Sequence, residues 1–396
     1  MTHFRIGFLP LVDAALPIVA QACGFAEKEG VSIELVRDPS WATVRDRLIY
    51  GQTDAAHLLA PLAIATALGL DRPAVSLGAP FMLGLNGNTV TVSPRIAAEL
   101  GDAGNVTATG EALARLAKAS ERKLRFAVVH RYSSHNYMLR YWLAACGCDP
   151  DRDVEITVVP PPFVAEAFAQ GEIDGSCVGE PWNSVAVERG DAVIVAATSR
   201  IWSRGVEKLL AFRQPVLEER GDAVAALLRA LHAAGQLASD PAHHAEIAEL
   251  LARPEYIGQP AELILRALSG RLVLRQGEAD TRFEDFLVLH REAANFPWRS
   301  QALWLYSQMV RWGHAPLREE GFAAASAVFR PDIYRAAFAG TDAILPNASA
   351  KVEGAIAQPL GVSTASGRLI MGPDRFFDGG LFDPDKAMEY VAAQMR

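Results

Sequence analysis

Between residues 4 and 78, short apolar runs of strand character alternate with longer stretches whose apolar positions recur at helical spacing. The pattern predicts strands at 4–9, 32–36, 54–59 and 74–78, separated by helices at 15–29, 40–50 and 61–68, the first of them closed by Gly30. This β-α-β rhythm predicts a parallel sheet with helices on both faces. Ligands on such sheets sit beyond the carboxyl ends of the strands. The loops at 9–13, 38–41, 58–61 and 80–88 therefore mark one wall of a candidate cleft.

A second rhythm follows, with strands at 124–129, 154–159, 175–178 and 192–197 and helices at 136–146, 162–170 and 182–190. Segment 89–93 lies between the two rhythms and segment 200–213 follows the second, so these are the candidate crossovers. The chain then divides into lobe I, made of 1–88 and 206–396, and lobe II, made of 89–205; two crossings make a hinged clamp. Beyond Gln214 the pattern turns helical, with segments expected at 223–238, 243–251, 261–269, 285–294, 301–311, 322–327 and 331–338. Residues 340–382, rich in Gly, Ala and Pro, read as a tail wrapping the lobes rather than a third core.

Length and composition agree with two well-buried lobes: 396 residues, half of them hydrophobic and 21% charged. The net charge of -8, with no run of Lys or Arg, argues against direct contact with nucleic acid or an anionic membrane surface. An anionic ligand must then be held by a few local donors. Cys23, Cys146, Cys148 and Cys177 are scattered and match neither a zinc nor a thioredoxin spacing, so reduced thiols and no metal are expected. No apolar stretch of about 20 residues is present, so no membrane insertion is expected. Strand character begins almost at the first residue, without the pattern of an export signal, and a cytoplasmic location is the expectation.

Motifs for catalysis are missing: no GxxxxGK[ST], no GxGxxG after a strand, no HExxH and no GxSxG. No catalytic residue and no cofactor are assigned, and a binding protein is expected rather than an enzyme. Anion-compatible donors do fall where the strand-to-loop argument puts the cleft. Trp41 opens the helix after Asp38-Pro39-Ser40, where its indole N–H or the helix N-terminus would face an anion, or where the ring would simply cover the lobe edge. His135 sits in a polar loop just before the helix at 136–146; a helix-start or surface role fits it as well. Gly179, in Cys177-Val178-Gly179-Glu180-Pro181-Trp182, would let backbone approach a ligand closely, or serve only as a loop turn. Lys208, just ahead of an apolar strand, would bring a full positive charge into a cleft or lie at the surface.

Taken together, the segments IGFLPLVDAALPIVAQACGF, DPSWATVRDRLIYGQTDAAHLLAPL, SSHNYMLRYWLAACGCDP, DGSCVGEPWN, VEKLLAFR and FPWRSQALWLYSQMVRWG resemble the nitrate- and bicarbonate-binding proteins of bacterial ABC transporters. They also resemble the cytoplasmic relatives that sense nitrate or nitrite for assimilation, the NasS-type sensors. The resemblance implies an α/β, type II periplasmic-binding-protein fold with extra C-terminal helices and the ligand between the lobes. It carries the family's tryptophan onto Trp41, its histidine onto His135, its cleft glycine onto Gly179 and its lysine onto Lys208. The side-chain amide that follows the first lobe falls on Asn88, where the family has a longer glutamine.

Lysine at 208 implies the nitrate branch, since the bicarbonate branch, which also recruits calcium, carries an acidic residue there. Nitrate cannot donate a hydrogen bond, so a donor-only pocket with one fixed cation is expected. The resemblance to the sensor branch implies a partner, an RNA-binding antiterminator of the NasT type, released when nitrate or nitrite arrives. The alternative is the solute-binding component of a nitrate or bicarbonate transporter.

Overall fold

The computed structural model describes residues 1–101 and 105–395. Lobe I is built on a six-stranded sheet. In chain order its strands are β1 (Thr2–Phe8), β2 (Val31–Arg37), β3 (Ala55–Leu59) and β4 (Leu77–Asn86). Lobe II holds β5 (Asn88–Val92), β6 (Leu124–Val128), β7 (Val154–Val158), β8 (Gly175–Gly179) and β9 (Val193–Ala197). The chain then returns to the first sheet as β10 (Val206–Arg213). Two short hairpins, β11 (Arg271–Val273) with β12 (Asp280–Arg282) and β14 (Leu360–Val362) with β15 (Leu369–Met371), lie outside both sheets, while β13 (Leu287–Val288) forms the edge of the first.

The spatial orders are β13-β4-β10-β3-β1-β2 and β7-β6-β8-β5-β9. Apart from β13, each sheet places its second, first and third strand, then the strand that has just crossed over, then the fourth. The expected all-parallel sheets are corrected here to mixed ones. Strand β10 runs antiparallel to β3 and β4, and β5 antiparallel to β8 and β9, while β1–β2, β1–β3, β6–β7 and β6–β8 are parallel. The reason is geometric. Strands of the β-α-β units run toward the cleft, whereas a strand that has just crossed from the other lobe enters at the cleft and must run away from it.

The segments 89–93 and 200–213, expected as crossovers, mostly belong to these returning strands. The chain crosses instead at Asn86-Gly87, between β4 and β5, and again just before Val206. Asn86 and Gly87 adopt φ of 62° and 89°, a left-handed bend that Asn tolerates and Gly favours. The Asn86 amide ties the two crossings together: Nδ2 donates to Ser203 O at 2.8 Å and Oδ1 accepts from Gly205 N at 3.1 Å.

Other differences also have local causes. The helix expected over 15–29 ends at Cys23, because Gly24 takes φ 72°, and a short helix, Phe25–Lys28, follows. No helix forms over 285–294: Asp285, Glu292 and Ala293 all have positive φ, and Leu287 and Val288 pair with Asn86 and Leu85. The long helix Gly221–Ala238 buries Val224, Leu227, Leu228 and Leu231, spaced for one face, and packs on Ala15–Ala22. The helix Arg299–Arg311 is buried almost all round, under Glu319–Val328 and Ala387–Gln394. No helix among the described residues is long and apolar enough to cross a membrane.

Candidate functional site

The cleft-side ends of β3, β5, β8 and β10 meet the turn after β1 and the first residues of two helices. The helix Trp41–Ile49 is capped by Ser40, whose Oγ accepts from Thr43 N, and this fixes Trp41 at the first helical position, 1% exposed. The helix Ser134–Ala145 is capped by Ser133 through Asn136 N, and this fixes His135 in its first turn with no exposure. Register sets two more positions: Asn88 lies opposite Gly179 across the β5–β8 pair, and Lys208 opposite Leu59 across β10–β3.

Lys208 is fully buried, and its Nζ lies 2.8 Å from Asp13 Oδ2 and 2.5 Å from Glu207 Oε1. A buried ammonium needs such partners, since desolvation otherwise drives it to its neutral form. Adjacent strand residues ordinarily face opposite sides. The register of β10 against β4 shifts on both sides of Lys208, and this bulge brings Glu207 and Lys208 together. Asp13 Oδ1 in turn accepts from His57 Nε2 at 2.9 Å, and His135 Nδ1 lies 3.5 Å from Glu207 Oε1. The Trp41 ring packs 5.3 Å from Lys208 Nζ and 5.3 Å from the His57 ring.

The site thus holds a continuous row of charge-bearing groups, His57, Asp13, Lys208, Glu207 and His135. Burial pulls the Asp13 carboxyl upward, but Lys208 and then His57 more than reverse this and hold it well below the usual range. Glu207 is also held down: a proton on His135 lowers it when present, and its ion pair with Lys208 opposes burial throughout. Lys208 is raised, because Asp13 and Glu207 overcome the opposing effect of desolvation. Burial pushes His57 down and takes His135 down to about 4, so both imidazoles are neutral near pH 7.

The structure brings together all five residues singled out from the sequence. Trp41, His135 and Lys208 join through the contacts above. A Cβ built on Gly179 would lie 3.1 Å from Leu11 Cδ2, 3.2 Å from Asn88 Oδ1 and 3.7 Å from Asp13 Oδ2, which puts Gly179 and Asn88 against the same group. Trp41 Nε1, Asn88 Oδ1 and both ring nitrogens of His135 are buried without a hydrogen-bond partner among the described residues. The donor-only pocket around a lone cation is corrected: two carboxylates flank Lys208. Asp13, His57 and Glu207 were not singled out, although Asp13 lies in a loop marked as cleft wall.

Both lobes close over the row. Val12 N donates to Glu180 O at 2.9 Å, and Trp182 Nε1 donates to Pro10 O at 2.9 Å, so the turn after β8 seats on the turn after β1.

A family model described as "NMT1-like family" matches residues 1–252. The chain belongs to the NMT1-like family. Among its relatives is the nitrate/nitrite binding protein NrtA of Synechococcus elongatus, 31% identical over 394 residues, covering 98% of this chain and 84% of that protein. The nitrate import ATP-binding protein NrtC of Synechocystis sp. is 33% identical over 337 residues, 84% of this chain. This NMT1-like chain spans only about half of NrtC, 49% of its length. The crystal structure of the periplasmic nitrate-binding protein NrtA from Synechocystis superposes over 100% of this chain and 98% of that one, with TM-score 0.87 and 25% identity. The two-lobed periplasmic-binding-protein fold is therefore that of the NrtA type. The relatives that this chain matches over most of their length are solute-binding proteins, not enzymes.

Proposed function

We propose that this protein binds nitrate or nitrite between its lobes without changing it chemically. The observation that carries this reading is the convergence of buried, unpartnered polar side chains from both lobes, Trp41 from one and Asn88 and His135 from the other, on a buried lysine. Trp41 supplies an indole N–H, His135 a ring N–H, and Lys208 the third proton left after Asp13 and Glu207 take two; the unpartnered atom of Asn88 is Oδ1, an acceptor, so this residue would meet an anion only through its Nδ2–H. Nitrate and nitrite are weak bases that only accept hydrogen bonds, and these donors match them. The names of the NrtA relatives support the same ligand class.

Isothermal titration calorimetry with nitrate, nitrite, bicarbonate and sulfate, on protein freed of bound ligand, tests the reading. Heat with the first two is expected, and silence with both overturns it. Lys208→Glu is expected to abolish binding, since a third carboxylate beside Asp13 and Glu207 repels an anion. Trp41→Phe keeps the ring and removes one donor, and a loss of roughly tenfold or more in affinity is expected for a hydrogen bond to a charged group. Wild-type affinity in a folded Trp41→Phe protein would place the indole outside the site.

For the biological setting we propose a cytoplasmic sensor whose ligand-closed lobes release an antiterminator partner of the NasT type. Closure by the ligand changes the surface across both lobes, and such a shift needs only a difference in ligand affinity between open and closed states. The second reading, the binding component of a nitrate transporter, is favoured by the near full-length match to NrtA and the partial match to NrtC. A nitrate-dissociable complex with the antiterminator supports the sensor. Nitrate-dependent stimulation of a permease ATPase supports the transporter and removes the sensor.

A further inference from the structure

With both imidazoles neutral, Lys208, Asp13 and Glu207 sum to one negative charge, in a row where no member is more than 4% exposed. An oxoanion seated against this row raises the buried charge to two. Uncompensated buried charge is strongly unfavourable, and buried groups respond by changing protonation. The groups facing this point are Glu207 and Lys208 on β10, Asp13 on the turn after β1, His57 on β3 and the Cys177 thiol on β8. Lys208 is already cationic and Cys177, whose thiol burial pushes up, is already protonated.

The two imidazoles differ in what surrounds them. His57 spends Nε2 on Asp13, and its Nδ1 has no acceptor, with the Trp41 ring tilted against it. His135 has a carboxylate 3.5 Å from Nδ1 and leaves Nε2 without a partner. An imidazolium needs an acceptor on each side, and only His135, with Glu207 on one nitrogen and an anion on the other, acquires both.

We propose that the site takes up one proton from solvent with each anion, and that His135, held by Glu207, carries it. This rests on the anion-binding reading above. The proton restores the charge of the free site: nitrate arrives with one negative charge, and His135 gains one positive. Affinity then falls about tenfold per pH unit as the pH rises from the His135 pKa of the free protein to that of the complex, the range in which each binding event takes up a proton.

The test is titration of the protein with nitrate near pH 7 in Bis-Tris and in Tris, whose ionisation enthalpies differ; the slope of observed heat against ionisation enthalpy counts protons. The expected result is close to one proton taken up per nitrate. In His135→Gln and in Glu207→Gln the uptake is expected to fall near zero, and in Glu207→Gln the pH dependence of affinity is expected to flatten. Nitrate heat with no proton uptake overturns the proposal and leaves anion binding intact. Uptake that survives His135→Gln and vanishes in His57→Gln also overturns it, by moving the proton to the other imidazole. No heat with any anion removes the underlying reading.

Discussion

Gly179 shows how one missing side chain shapes the site. It faces Leu11 of lobe I and Asn88 of its own sheet, and an added Cβ would meet both at 3.1–3.2 Å. Contacts that close are tighter than ordinary packing, and one of them crosses the cleft, so a larger residue acts as a wedge against closure. Gly179→Ala is expected to weaken nitrate binding by roughly tenfold, and Gly179→Val to abolish it, with little change in the melting temperature of the free protein. Wild-type affinity in Gly179→Val, measured by calorimetry, would show that closure does not bring these residues together. The glycine, like Trp41, His135 and Lys208, was legible because the residue stands in a distinctive segment. Asp13 and Glu207 were not. Their part depends on Lys208 being buried between them, and simple strand alternation would have sent Glu207 to the opposite face.

Among the elements, the crossing before β10 is held by the C-terminal tail. Ser203 N donates to Arg375 O, Phe377 N donates to Ile201 O, and Trp202 stacks on Phe376 while its Nε1 donates to Asp374 at 2.7 Å. Beneath this contact lies an ionic cluster in which Lys351 bridges Glu353 and Asp374, both fully buried, and Ser300 Oγ donates to Glu353 at 2.6 Å. Lys351→Met leaves two buried carboxylates facing each other, and removing one partner of a buried ion pair costs about 3–5 kcal/mol. That loss is expected in urea unfolding at pH 7 and should shrink near pH 4, where the carboxylates take up protons. A variant as stable as the parent at pH 7 would show that the cluster is not what fastens the tail. The reading of 340–382 as a wrapping tail came from composition, but its attachment to the crossing did not, since it joins residues some 170 positions apart. The β-α-β strands were readable from local periodicity except β4, which runs over Leu77–Asn86 where a strand at 74–78 and a loop at 80–88 were expected. Strands β5 and β13 were missed as strands, and β10 was expected only as an apolar strand following Lys208 within a crossover, because long-range pairing, not local pattern, decides them.

At the scale of the whole molecule, the buried histidines set how stability responds to acid. Burial takes His130, His135, His232 and His314 down to about 4, against an ordinary value of 6.5. In the unfolded chain each takes up a proton as the pH drops through 6.5, while in the folded protein each resists until about 4. The stability they contribute is therefore full at pH 7 and is lost progressively between 6.5 and 4. For His135, which is fully buried, the shift from 6.5 to about 4 corresponds to a few kcal/mol, on the order of 3. Glu180 runs the other way. Burial raises it to about 7, so the folded protein keeps a proton that the unfolded chain releases near 4.5, and the resulting stability present at pH 4.5 is lost as the pH rises to 7. Burial raises Glu353 to about 7 as well; four histidines against these two carboxyls leave a net fall on acidification. The melting temperature is expected to drop by roughly 10 °C between pH 7 and pH 4.5, well before the low-lying Asp13 and Asp174 begin to titrate. Glu180→Gln should raise the melting temperature at pH 8 and leave it unchanged at pH 4. A flat profile between 6.5 and 4.5 would show that these imidazoles are hydrated in solution. Saturating nitrate should lessen the acid loss, because His135 is then cationic in the folded state too, and the rise in melting temperature it gives should be larger at pH 6 than at pH 8.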